Sequence, residues 1–181
     1  MSSSEGRSTR PRTSRNQGRR NIIEATIALL ATQSPDEITI RQIAEESGHH
    51  HRMVQAWFGG KILLFLAVHE QLNAEIAEGL APPIGRVGIT EKVRMTTMLM
   101  NWLIAADPSV FDGRADTPIL DQLSSIYVTT YGLAPHEARM MAIRAVAGSI
   151  TVTLFPGPLG ISEEDIAEQA AFEVRLVELL A

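Results

Sequence analysis

Three consecutive histidines, His49, His50 and His51, followed directly by Arg52, form the densest group of side chains able to bind or transfer something in this 181-residue chain. A metal site would need ligands that converge. Adjacent helical positions point about 100° apart, so three in a row cannot close on one ion. No acid or cysteine at ligand spacing completes the set, and no metal is expected. The same residues suit a different chemistry. His50 falls at the N-cap or first position of a short helix, whose free N–H groups would point at a phosphate. Arg52 has the fork for guanine O6 and N7, Gln55 the amide for adenine or a phosphate, and Met53 the apolar surface for a thymine methyl. His51, Thr39, Arg41, Trp57 and Lys61, with Arg19 and Arg20 upstream, complete the candidate nucleic-acid contacts.

Catalytic patterns do not emerge. There is no cysteine nucleophile, no His-Glu-x-x-His and no glycine-rich loop after a strand. Ser109, Ser124, Ser125 and Ser149 have no base at a meaningful spacing. His69 and Glu70 adjoin but diverge on a helix, and His69 reads as solvated or interfacial. His136 reads as exposed. The chain is not expected to be an enzyme, and no cofactor is expected.

The elements that must position the candidate residues are all helical. Ile22, Ile23, Ile27, Leu29 and Leu30 recur at helical spacing from about Gly18, and Pro35 ends that helix. Thr39 is a fair N-cap for a helix over 40–46. Gly48 suits the left-handed turn before the next helix, which ends near Phe58. This is a helix-turn-helix, with Ile43, Ala44 and Val54 facing inward and Trp57 or Phe58 closing the core against the first helix. A fourth helix, about 60–79, carries Leu64, Ala67, Val68, Leu72 and Ile76. Ala81-Pro-Pro-Ile-Gly85 breaks the chain. Further helices are expected over 90–106, from Pro118 to a stop at Gly132, from Pro135 to about Leu154, and after a capping pair Ser162 and Asp165. No run alternates as a strand would. The expected fold class is all-α: a three-helix DNA-binding domain and a helical bundle for ligand binding and dimerisation. The expected divisions are a disordered basic arm over 1–17, the helix-turn-helix domain over 18–60 and the bundle over 61–181.

Charge supports that division. The net charge is −5, yet residues 1–61 hold nine Lys and Arg against six Asp and Glu, a balance of +3. The rest of the chain is left at −8. A polyanion is drawn to the first third and repelled by the remainder. The first twenty residues carry no apolar signal segment, and no run reaches the roughly 18 apolar residues of a membrane span. A cytoplasmic protein without membrane contact is expected.

From Ile22 to Leu72 the sequence resembles the DNA-binding domain of the TetR family of transcriptional regulators. Thr39, Ile43-Ala44, Gly48, Val54, Phe58, Lys61 and Leu64 stand in register with the family pattern. The departures are specific. His49 stands where the family has an apolar turn residue, which predicts a wetter turn. His50 replaces a capping serine, Gln55 a tyrosine that donates to a DNA phosphate, and Trp57 a histidine. The resemblance implies a homodimer joined by the last two long helices, over 136–154 and 163–180, on a near-palindromic double-stranded operator. It also implies a ligand cavity between the middle helices and a backbone contact from Lys61.

Met98, Trp102, Phe111, Tyr127, Tyr131 and Met141 supply adaptable and aromatic surface on the middle helices. They are the expected lining for a small apolar or weakly polar effector, because residues 119–131 hold no charged cluster. The leading reading is a repressor released by such an effector. The alternatives are a DNA-binding regulator without any effector, and a helical protein-interaction module that has lost DNA binding.

Overall fold

The computed structural model describes residues 14–81, 91–114 and 116–180. Residues 1–13 of the basic arm and most of the Pro-Pro break lie outside the described residues. Among those described there are nine helices and no strand, and the fold is all-α.

The head is built from α1 (Arg15–Leu30), α2 (Ile40–Glu46) and α3 (Arg52–Phe58). Helix α1 starts three residues before Gly18. Ser14 caps it, its hydroxyl oxygen accepting from the Gln17 N–H at 3.2 Å. Gly18 is therefore interior to the helix, and its lack of a side chain has a packing reason: a Cβ there would overlap the Trp57 indole. Helix α2 opens on a full capping box. The Thr39 hydroxyl accepts from the Gln42 N–H, and the Gln42 amide oxygen accepts from the Thr39 N–H at 2.8 Å. Gly48 turns the chain with φ +66°, a left-handed conformation that glycine adopts without cost. Helix α3 follows, with Val54 fully buried in the same core as Ile22 and Ile43.

The body begins with α4 (Lys61–Gly79) and continues with α5 (Glu91–Ala106), α6 (Pro118–Tyr131), α7 (Pro135–Leu154), the single turn α8 (Pro156–Leu159) and α9 (Glu163–Leu180). Proline opens α6, α7 and α8, where its missing N–H costs nothing. Before α9, Ser162 and Asp165 cap each other as expected, with Asp165 Oδ2 accepting from the Ser162 N–H at 2.8 Å. Between α5 and α6 the chain runs as turns, anchored where the Asp107 carboxylate accepts from the Ser109 N–H and hydroxyl.

Two cores hold these helices. The first joins Ile22, Ile43, Val54 and Phe58 of the head to Leu64, Phe65 and Leu72 of α4, and to Leu99 and Leu103 of α5. The head's packing thus continues across residue 60, because α4 turns one face of its apolar stripe toward α1 and α3. The second core gathers Leu123, Ile126 and Tyr127 of α6, Ala138, Met141 and Ala142 of α7, and Val177 of α9. Helix α9 buries little else. Phe172, Leu179 and Leu180 remain exposed, as do Met140 and Ile143 on α7.

Candidate nucleic-acid interface and internal cavity

Helix α3 presents Arg52, Met53, Gln55 and Ala56 to the outside while Val54 and Phe58 are buried. The alternation follows from seven helical residues lying across α2 and α1. The start of α3 is built by histidine. The His50 carbonyl accepts from the Met53 N–H at 2.8 Å, and His50 Nδ1 accepts from the Arg52 N–H at 3.3 Å. The N-cap itself is His51, one residue later than expected, and it makes no side-chain cap bond; the His50 ring nitrogen instead serves the first helical N–H from outside the cap. The His51 ring stacks tilted on that of His50, with centroids 4.2 Å apart. Desolvation, then the adjoining His50, Arg52 and Arg41, hold the His51 imidazole below its ordinary value. Arg41 projects from α2 beside this group and is exposed, as is Arg20 on α1. Arg41, His50, His51 and Arg52 thus concentrate positive or protonatable groups at one end of the head.

Other candidates are already engaged. The Thr39 hydroxyl is exposed but spent on the capping box. Gln55 Nε2 donates to the Gly59 carbonyl at 3.2 Å. Two residues expected at the interface, Trp57 and Arg19, instead face the head's own packing. Trp57 is half-buried against Gly18 and meets His49 edge-on at 5.5 Å. His49 consequently packs on an aromatic ring, with a buried Nε2, where a wetter turn was expected. Arg19 donates to the Trp57 carbonyl, and its guanidinium lies 4.2 Å from the Phe58 ring centroid. It ties α1 to the last turn of α3, as a cation does at a helix C-terminus.

Lys61 is turned inward as well. Its ammonium donates to the Pro35 carbonyl at 2.9 Å and lies 4.9 Å and 4.8 Å from the ring centroids of Phe65 and Trp102. Desolvation lowers its pKa and the Asp36 carboxylate opposes that shift. Asp36 in turn accepts from the Trp102 indole N–H at 2.6 Å. This group joins the α1–α2 loop, the start of α4 and the middle of α5. Nothing in one-dimensional spacing brings Pro35, Asp36, Lys61 and Trp102 together.

The body holds a cavity of about 410 Å³ between α4, α5, α6, α7 and α9. That is within the range of small-molecule sites. Of the six expected lining residues, Phe111 and Tyr127 reach it. Met98 and Trp102 line a separate depression beside Asp36 and Leu154. Met141 is buried in the second core and Tyr131 packs on it. The expected set is divided because α5 and α7 each turn large side chains to more than one neighbour. The cavity wall is mostly aliphatic, from Ile76, Leu80, Leu123, Val146, Ile150 and Ile166.

Its polar residues were largely missed. His69, read from sequence as solvated or interfacial, is buried at 8% exposure. Burial pushes its imidazole down to about 4, so it is neutral at pH 7. Asn73 lies one turn on, with Nδ2 3.3 Å from His69 Nδ1, and its Oδ1 accepts from the Thr96 hydroxyl at 3.0 Å. The signal available in sequence was His69 and Asn73 at i, i+4, with His69 in line with the apolar stripe of Phe65, Leu72 and Ile76. Both arginine-bearing charge pairs at the wall are closed. Arg114 meets Glu70 at 2.5 Å, and Arg144 donates to both oxygens of Glu173 at 3.0 Å and 3.3 Å. The Tyr127 hydroxyl is buried without a partner among the described residues, and burial, with Glu173 and Tyr131 nearby, pushes its pKa up to about 12. Among the described residues no three His, Cys, Asp or Glu are grouped to hold a metal ion, and no helix is long and apolar enough to cross a membrane.

The chain matches no protein-family model. It is 35% identical over 68 residues to the HTH-type transcriptional regulator BetI of Brucella anthropi, a match covering 38% of this chain and 35% of the relative. The match thus spans about a third of that relative's length. Its fold is similar to the crystal structure of AlkX from Dietzia sp., a TetR family repressor implicated in biodegradation of n-alkanes. The TM-score is 0.56 at 16% identity, over 93% of this chain and 99% of that one. A Rhodococcus sp. RHA1 protein assigned as a transcriptional regulator aligns with a TM-score of 0.54 at 16% identity, over 91% of this chain and 97% of its own. The chain has the TetR-type regulator fold, and homology to such regulators rests on low overall identity and a partial sequence match.

Proposed function

We propose that this chain is a cytoplasmic, homodimeric transcriptional regulator that binds a near-palindromic double-stranded operator and acts as a repressor released by a small apolar or weakly polar effector. The observation that carries the reading is the outward face of α3, where Arg52, Met53 and Gln55 stand exposed beside Arg41, His50 and His51. A short helix that projects exposed side chains from a three-helix head has the form needed to enter a major groove. Arg52 and Met53 read base edges. Arg20, Thr39, Arg41, His50 and His51 face phosphates, and Gln55 joins them by releasing the Gly59 carbonyl. Arg19, Trp57 and Lys61 act indirectly, by fixing α3 and α4.

One seven-residue helix buries too little for tight specific binding, and a two-fold dimer doubles the contacts. Exposed Met140, Ile143 and Ala147 follow one another along α7 at helical spacing, and Phe172 and Leu179 do so along α9. They form an apolar face suited to a second copy. The cavity beneath α7 and α9 gives an effector a place to act on that assembly.

The test is a selection of duplexes from a random pool by the purified protein, with sedimentation on the same sample. A dimer that enriches a near-palindrome is expected. Enrichment of no sequence, or a monomer at micromolar concentration, overturns the proposal. Deleting residues 1–16 is expected to weaken binding and flatten its dependence on salt.

A further inference from the structure

The polar groups of the body cavity have a direction. The Thr96 hydroxyl donates to Asn73 Oδ1, and the Asn73 amide N–H faces the His69 ring. The amide nitrogen lies 3.3 Å from His69 Nδ1 and 3.4 Å from Nε2, and an NH₂ group only donates, so it can serve the ring's lone pair but cannot accept from the ring's single N–H. His69 lines the cavity. Across from it, on α6, Tyr127 also lines the cavity and is 1% exposed, with a hydroxyl that has no partner among the described residues. A buried polar group left without a partner is costly, so the Tyr127 hydroxyl beside this cavity needs an account. Among the described residues the wall offers an anionic ligand no free cation. Arg114 is held by Glu70, and both oxygens of Glu173 are taken by Arg144. Asp116 at the wall opposes an anion.

We infer that the cavity takes an uncharged, mainly aliphatic molecule bearing an oxygen acceptor, of the ketone, ester or ether class, with the His69 N–H and the Tyr127 O–H as the donors that select it. The inference rests on reading the cavity as an effector site, and is independent of DNA binding. The aliphatic wall supplies affinity, and the two donors supply choice. A hydrocarbon of the same length leaves both donors unpaired. A carboxylate brings a charge to a wall that has an acid and no free cation. An ammonium needs a carboxylate, and of the two at the wall Glu173 is held by Arg144, which leaves Asp116 alone to receive it.

Calorimetry on the full-length protein without DNA tests this with four ten-carbon probes: methyl octyl ketone, decane, decanoate and decylamine. The ketone is expected to bind most tightly. His69→Phe and Tyr127→Phe keep ring and volume, and each is expected to weaken the ketone about fivefold to tenfold while leaving decane unchanged. A loss in either variant identifies the donor and supports the inference. The Tyr127→Phe protein is also expected to melt no lower than wild type, since it removes an unpartnered hydroxyl. Decanoate or decylamine binding more tightly than the ketone, a ketone affinity unchanged in both variants, or binding of none of the four overturns it. The titrations involve no DNA. A wrong ligand class therefore leaves the operator reading standing, and a protein that binds no operator leaves the ligand result standing.

Discussion

His69 makes the body of this protein acid-sensitive. Its imidazole has an ordinary value of 6.5 and is held at about 4 in the folded chain by burial. Above pH 6.5 the ring is neutral in both states and contributes nothing to pH dependence. As pH falls below 6.5 the unfolded chain takes up a proton that the folded chain refuses, so stability drops. The loss reaches about 2 kcal/mol at pH 5 and about 3 kcal/mol at pH 4, at 1.36 kcal/mol per pH unit when fully developed. His69→Gln removes the titration and keeps an acceptor for the Asn73 amide. Urea unfolding of both proteins between about pH 7 and about pH 4.5 measures the difference. Carboxylates such as Glu75 and Glu91, held low by hydrogen bonds from Gln71 and Arg94 respectively, add their own acid destabilisation below pH 4.5. They are common to both proteins and cancel. The wild type is expected to lose about 2.5 kcal/mol more than the variant over this interval. Parallel stability curves would refute the reasoning, because they would mean that His69 accepts its proton in the folded state as easily as in the unfolded one.

Three further outcomes are expected. Arg52→Ala weakens operator binding by about 1–3 kcal/mol and relaxes preference at one base pair, read by competition with single-base operator variants; a uniform loss across all variants would make Arg52 a phosphate contact. Lys61→Met lowers stability by about 2 kcal/mol, since the bond to the Pro35 carbonyl and the Phe65 and Trp102 ring contacts go together. A variant of unchanged urea midpoint with reduced DNA affinity would instead mark Lys61 as a backbone contact. Gly18→Ala destabilises by about 1–2 kcal/mol, despite alanine's better helix propensity, because its methyl displaces Trp57; Gly79→Ala, with open space at its Cβ, is the control and is expected to be neutral or stabilising.

The local elements of this chain were determined by its sequence. Thr39 with Gln42, Ser162 with Asp165, prolines at helix starts and glycine at residue 48 act through bonds and dihedral angles within a few residues, so spacing alone reveals them. The outward face of α3 is legible for the same reason, since Val54 and Phe58 fix which side is inner. What lies between helices was decided elsewhere. Sequence does not record that Trp57 lands on Gly18, that Lys61 folds under Pro35 between two aromatic rings, or that Met98 and Tyr127 end in different places. A helical pattern gives the direction of a side chain relative to its own axis. The partner it meets depends on crossing angles set by all the packed surfaces at once. His69 is the clearest case. Beside Glu70 it resembles a surface residue, and only the closing of α5, α6 and Phe111 over α4 removes its water and holds it neutral.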